Sequence, residues 1–142
     1  MKKNAKVLFL CTENSCRSQM AEGLLKYKSN GEFDVSSAGS HPDRVHPDAI
    51  KIMEEINIDI SKQTSNHINE FIQSHIDFLI TVCDNANRSC PAFPAEVRRL
   101  HWNIEDPSLE PRGSALYMKN FRRIRTELAG YVDTFLKSFG RT

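Results

Sequence analysis

Hydrophobic positions along the chain fall into short runs and helical patterns that alternate, each closed by a polar segment. Ala5 to Leu10 is an apolar run without polar alternation, the signature of a strand covered on both faces of a parallel sheet. It stops at Cys11-Thr12-Glu13-Asn14-Ser15-Cys16-Arg17-Ser18. Beyond that segment Met20, Ala21, Leu24 and Leu25 recur at helical spacing, with Ser15 or Ser18 available to cap the start. Phe33 to Ser37 alternates and ends at Ala38-Gly39, which predicts a second strand. Pro47 opens a helix running through Ile50, Met53 and Ile56, at a first turn where its missing N–H does no harm. Asn66 to Phe71 reads as a short helix, Ile76 to Val82 as a strand ending at Cys83, and Val97 to Trp102 as a fourth strand. The segment 84–96 carries Asn85, Asn87, Pro91 and Pro94 and reads as an irregular loop or short helix. Leu116, Phe121, Ile124, Leu128, Val132, Phe135 and Leu136 then lay out one long amphipathic helix.

Strands alternating with helices predict βαβ units: an α/β fold with a parallel sheet and helices on both faces. Cys11, Cys83 and Asp106 all follow predicted strands, and in open α/β sheets ligands bind at the carboxyl ends of the strands. The length of 142 residues fits a single domain spanning 1–142. Nineteen basic against eighteen acidic residues give a net charge of +1, which excludes a nucleic-acid partner or polybasic membrane anchor driven by overall charge. An anion must therefore be held by a local site.

No apolar run reaches the ~20 residues of a membrane span, and Val7 to Leu10 is too short for a signal peptide. These features predict a cytoplasmic protein with reduced thiols. The four cysteines, Cys11, Cys16, Cys83 and Cys90, then read as catalytic, metal-binding or buried apolar residues rather than as staples. Small size and the absence of heptads predict a monomer.

Cys11 and Arg17 bracket five residues, with Ser18 next. A loop of that length between strand and helix can turn its N–H groups and the helix dipole toward a tetrahedral oxyanion. Arg17 can grip two oxygens of the anion. The same positive surroundings are expected to lower the pKa of Cys11 to give a thiolate nucleophile, with Ser18 donating to it. The bland alternative is a buried strand end at Cys11 and a surface arginine at Arg17. Thr12, Glu13, Asn14, Ser15, Cys16, Arg17 and Ser18 are the candidate substrate-binding residues, although Cys16 also suits apolar packing and Asn14 a turn.

The stretch from Cys11 to Gly23 resembles the signature of arsenate reductases that share the low-molecular-weight protein tyrosine phosphatase fold. Ser37-Ala38-Gly39, His46-Pro47, Ile58-Asp59-Ile60-Ser61, Thr64-Ser65, Val82-Cys83, Cys90-Pro91, His101-Trp102 and Asp106-Pro107 follow in family order. The resemblance implies a four-stranded parallel sheet flanked by helices, no tightly bound cofactor, and arsenate as substrate with phosphate or sulfate as mimics. It also implies arsenic detoxification as the role. Glu13 departs from the commonest family loop, which has Gly there; its side chain is expected to point to solvent. Some thioredoxin-linked members bind potassium. Asn14, Glu22 and Ser37 match that ion site, but Asn66 replaces its Asp.

Arsenate and phosphate have nearly the same shape and charge, so the anion loop alone does not separate a reductase from a phosphatase. A reductase needs a second thiol to attack the Cys11 sulfur. Cys83, at the end of its strand, and Cys90, seven residues on, suit a relay that carries the disulfide outward. Core packing, an incidental loop thiol, and a zinc site are the alternatives; the spacings are not those of close Cys-x2-Cys pairs. Asp106 aligns with the family's general acid, while an Asp before Pro also starts turns. Phosphotyrosine phosphatases of this fold usually place an aromatic residue soon after that Asp-Pro; here Ser108 and Leu109 follow, which favours a small inorganic substrate.

The reading is thus a thioredoxin-reduced, three-cysteine arsenate reductase, with glutaredoxin and glutathione or mycothiol as other donors. A tyrosine phosphatase and a non-catalytic oxyanion or redox-sensing module are the competing functions. The five histidines, at 41, 46, 67, 75 and 101, show no ligand spacing and read as surface or hydrogen-bonded groups. Trp102 reads as core.

Overall fold

The structure, a computed structural model, describes residues 4–83, 93 and 96–140. Strands β1 (Ala5–Leu10), β2 (Phe33–Ala38), β3 (Phe78–Thr81) and β4 (Arg98–His101) form one parallel sheet in the order β2-β1-β3-β4. Among the described residues three α-helices accompany it, α1 (Arg17–Ser29), α2 (Pro47–Glu54) and α3 (Ala115–Phe139), with short 3-10 turns at Ile68–Glu70 and Pro107–Leu109. This is the α/β architecture that the alternating pattern predicts.

The central strand shows why an unbroken apolar run was needed. Val7, Leu8, Phe9 and Leu10 are all at most 1% exposed, so side chains on both faces of β1 are covered. On one face Phe9 meets Trp102, which stacks on Tyr131 of α3, while Phe33 and Phe78 pack against Phe135 of the same helix. Tyr117, Phe121, Ile124, Leu128, Val132 and Phe135 form the buried stripe of α3, spaced three and four apart as a helix against a core requires. Helix α3 also packs on α1 and α2. Among the described residues no helix is long and apolar enough to cross a membrane.

Element ends differ from the sequence expectation, each for a local reason. Helix α2 stops at Glu54, not Ile56, because Asn57 turns left-handed at φ 62° and the Ile58 N–H returns to the Met53 carbonyl. The expected helix over Asn66 to Phe71 is only the 3-10 turn Ile68–Glu70, closed by a reciprocal His67–Glu70 capping box. Strand β3 begins at Phe78; at Asp77 the carboxylate accepts from the Lys6 N–H, while the Asp77 N–H donates back to the Lys6 carbonyl. Strand β4 lies at the edge with Arg98, Arg99 and His101 exposed.

The register places the site. Leu10 pairs with Ala38 on one side and Thr81 on the other, so the segments after β1 and β3 leave the sheet side by side. The chain order reverses between these two strands, the switch point where open α/β sheets bind ligands.

Candidate active site

The loop after β1 is held open from outside. The Thr12 carbonyl accepts from the His41 N–H at 2.9 Å, Glu13 from Asp43 at 3.1 Å and Ser15 from His46 at 3.0 Å. The Asn14 carbonyl accepts from Gln19 Nε2 and Ser65 Oγ, each at 3.0 Å. In a planar trans peptide the following N–H points the opposite way. Four consecutive carbonyls turned outward therefore turn the N–H groups of Glu13, Asn14, Ser15 and Cys16 inward, toward a common centre at the start of α1.

Helix α1 begins at Arg17 with Cys16 as N-cap and no side-chain cap. The expected cap by Ser15 or Ser18 is thus corrected. The Ser15 hydroxyl lies beside the Cys16 thiol, and Ser18 Oγ accepts from Asn14 Nδ2 at 2.8 Å. The helix end is left to an anion. Ser18, expected to donate to Cys11, instead belongs to the scaffold beneath the loop.

Asn14 is the keystone of that scaffold. It is fully buried at φ 49°, donates through Nδ2 to Ser18 Oγ and Ser37 Oγ at 2.8 Å each, and accepts from the Asn66 N–H at 2.7 Å. Gly39 allows the neighbouring chain to pass: a Cβ there would lie 2.3 Å from the Cys11 carbonyl oxygen and 2.4 Å from that of Thr12.

Inside is a pocket of about 80 Å³ lined by Cys11, Thr12, Glu13, Ser15, Cys16, Arg17, His46, Asp106 and Ser108. That is far below the ~300–1,000 Å³ of sites for drug-sized ligands and suits a small oxyanion. Arg17 Nη1 donates to the Ile104 carbonyl at 2.8 Å, which ties the loop to the segment carrying Asp106. Asp106 Oδ1 accepts from the Ser108 N–H at 2.9 Å and the Ser108 hydroxyl at 2.7 Å. Asp106 thus caps the Pro107 turn and also lines the pocket. Glu13 is exposed, as expected, yet also lines the rim.

Cys83 is 5% exposed and lies 3.5 Å from Thr12 Oγ1. The neighbouring Cys83 thiol and then burial push the Cys11 thiol up, while Arg17 and the Thr12 N–H act in the opposite sense. The surroundings of Cys11 thus pull both ways: Cys83 and burial oppose the expected thiolate, and Arg17 favours it. Burial, then the Asp106 charge, push Cys16 up to about 12. Cys90 lies outside the described residues.

The four residues of the suspected potassium site do converge, but they do not fit the ion. Glu22 accepts from the Ser37 hydroxyl and from the Lys26 ammonium, each at 2.5 Å. Asn66 Nδ2 donates to the Ser37 carbonyl at 3.0 Å, so a donor stands where a cation needs an acceptor. Among the described residues no group of three or more His, Cys, Asp or Glu is arranged to hold a metal.

A family model described as low molecular weight phosphotyrosine protein phosphatase matches residues 6–142. The chain belongs to this family. Within it, the arsenate reductase of Halalkalibacterium halodurans is 43% identical over 136 residues, spanning 95% of this chain and 98% of that protein. A solved arsenate reductase in the phosphate binding state has a TM-score of 0.77 at 36% identity, covering 94% of this chain and 98% of its own. A thioredoxin-dependent arsenate reductase of Corynebacterium glutamicum is 28% identical with a TM-score of 0.76, over 96% of this chain and 62% of that one.

His46 and Ser108 escaped the sequence reading. His46 had been grouped with the scattered histidines. The only available signal was its place just before Pro47, at a helix start in a family-ordered segment. Trp102 is core, 6% exposed.

Proposed function

We propose that this chain is an arsenate reductase, and the observation that carries the reading is a second buried thiol, Cys83, set next to the Cys11 loop at a small oxyanion pocket, 3.5 Å from Thr12 Oγ1. A phosphatase of this fold needs the pocket, Cys11, Arg17 and Asp106, and has no use for a second thiol beside the nucleophile. The similarity to arsenate reductases over nearly the whole chain supports the same reading.

The loop N–H groups of residues 13–16 and Arg17 bind the arsenate dianion, with Thr12 and Ser18 completing and bracing the loop. The Cys11 sulfur bonds to arsenic, and one oxygen leaves as water with a proton delivered by Asp106. The Cys83 sulfur then attacks the Cys11 sulfur. The S–S bond forms as the As–S bond breaks, and its electron pair stays on arsenic, which departs as arsenite. The thiol of Cys90 attacks Cys83, freeing Cys11 and leaving a Cys83–Cys90 disulfide. Thioredoxin, a dithiol protein, reduces that disulfide, as the similarity to a thioredoxin-dependent relative supports. The relay needs reduced thiols and so fits a monomer working in the cytoplasm.

The test is arsenite production from arsenate with thioredoxin, thioredoxin reductase and NADPH, for wild type, Cys11→Ser, Cys83→Ser and Cys90→Ser. Turnover by wild type alone is expected. Turnover that persists without Cys90 would mean an external thiol attacks earlier. No arsenite from a folded protein that hydrolyses an aryl phosphate would make it a phosphatase.

A further inference from the structure

His46 sits at a junction that the chemistry above does not use. Its backbone N–H holds the Ser15 carbonyl at 3.0 Å, so the residue is fixed relative to the anion loop. Its ring is the N-cap of α2: Nδ1 accepts from the Asp48 N–H at 3.0 Å. The ring rests on Phe121 with centroids 5.6 Å apart. His46 lines the pocket together with Asp106 and Ser108, and the Asp106 charge acts on its ring.

These contacts dictate the protonation of the imidazole. A nitrogen that accepts from a backbone N–H carries no proton, so the single proton of the neutral ring is on Nε2. A second proton would break the cap and leave the Asp48 N–H facing a cationic N–H. The charged groups around the ring come from every side: Asp48 on its own helix, Arg44 before it, and Asp106 and Arg112 on the segment opposite. Asp48 is in turn engaged by the Tyr117 hydroxyl at 2.6 Å and Arg112 Nη2 at 3.2 Å. Burial is the largest influence and keeps the ring below its ordinary pKa.

We propose that His46 is a binding residue of the oxyanion pocket: a neutral imidazole whose Nε2–H donates to the oxyanion oxygen nearest Asp106, with Asp48 as its positioning residue through the backbone N–H. Every other donor to the anion comes from the loop or from Arg17, on the side of α1. His46 supplies one from the α2 side, beside the acid. A neutral donor has a specific advantage at that position. An imidazolium would pair with the Asp106 carboxylate and hold it ionised, whereas neutral Nε2–H binds the anion without taking the acid out of use.

This inference rests on the oxyanion-pocket reading, and the experiment separates the two. Asn and Gln each mimic one nitrogen of the ring: Asn reproduces the Nδ1 position and still caps α2, while Gln reproduces the Nε2 donor and loses the cap. The probe is inorganic phosphate, titrated calorimetrically into the reduced full-length chain, alongside thermal melting of the same samples.

Expected for His46→Asn is a Tm near wild type with phosphate affinity reduced about tenfold or more, the loss of one hydrogen bond to a charged group. Expected for His46→Gln is a Tm lower by a few degrees with affinity within about threefold of wild type. Arsenate KM should rise in His46→Asn and stay near wild type in His46→Gln. If His46→Asn binds phosphate like wild type, the residue is a cap only and the proposal is overturned. Affinity that simply follows Tm across both variants overturns it as well. If wild type itself does not bind phosphate, the oxyanion pocket fails first, and this inference falls with it.

Discussion

Replacing Asn14 by Ala tests whether the loop is held by its scaffold rather than by the anion it binds. The change removes two donations, to Ser18 and Ser37, and one acceptance, from the Asn66 N–H. At about 1 kcal/mol net for each hydrogen bond, the loss is about 3 kcal/mol. Asn14 is also left-handed at φ 49°, a region that Asn tolerates and Ala does not, which adds about 1 kcal/mol. Asn14→Ala should therefore be about 4 kcal/mol less stable, a large share of the ~5–15 kcal/mol of a typical domain. Asn14→Gly loses the same bonds but relieves the backbone, so it should be about 1 kcal/mol less damaging. Urea unfolding with linear extrapolation reads both values. Phosphate affinity should fall further than stability alone explains, because the N–H groups of residues 13–16 lose their common aim. Asn14→Ala within 1 kcal/mol of wild type, or Asn14→Gly less stable than Asn14→Ala, would refute the reasoning.

Three other perturbations probe different parts of the molecule. In Cys83→Ala the largest influence raising the Cys11 pKa is gone, so iodoacetamide should alkylate Cys11 faster at pH 7, followed by peptide mass spectrometry; an unchanged or slower rate would contradict the assignment. Gly39→Ala places a Cβ within 2.4 Å of two backbone oxygens of the loop, and calorimetry should find phosphate binding lost; normal binding would show that the close approach is dispensable. Glu55 is held at about 2, below its ordinary 4.5, by hydrogen bonds first from Arg122 and then from Arg125. Its folded pKa is depressed, so its contribution is present above about pH 4.5 and is lost as pH falls toward about 2. The Tm gap between wild type and Glu55→Gln should narrow through that window, and a constant gap would refute the linkage.

The features legible in the sequence are those that repeat locally. Val7 to Leu10 announces a covered strand because consecutive residues must be apolar when both faces are buried, and the three-four spacing of Phe121 to Phe135 is confined to one helix, although Tyr117 rather than the expected Leu116 begins the buried stripe. The loop from Cys11 to Arg17 was legible because strand, loop and helix are contiguous. The misread features depend on partners distant in sequence. Ser15 and Ser18 look like caps until Asn14 and the Cys16 thiol claim them. Cys11 looks like a thiolate until Cys83, brought beside it by the pairing of β1 with β3, contributes the opposite influence. The cation site looks half-preserved until Lys26, one turn along α1 from Glu22, supplies the charge. His46 is invisible because its two roles, capping α2 and facing Asp106, belong to different elements.

The upward influence of Cys83 and burial on the Cys11 thiol is compatible with its proposed role as nucleophile once protons are counted for the complex rather than for the free site. A thiol beside an arsenate dianion and a thiolate beside a monoanion have the same number of protons and the same charge. When HO–AsO3 with charge −2 reacts with the thiol, the products are the sulfur-bound arsenate, again −2, and water. The departing oxygen already carries one proton, and the second is the one that Cys83 and burial favour on the Cys11 sulfur. With the dianion bound a resting thiolate would lack that proton, whereas with the monoanion the substrate itself brings it. Asp106, fixed by Ser108 at the opposite wall, can then act as a relay that takes the thiol proton and returns it to the leaving oxygen. In the proposed relay, setting Cys11 beside Cys83 serves both half-reactions: the Cys11 thiol proton is used in the first and the neighbouring sulfur attacks in the second.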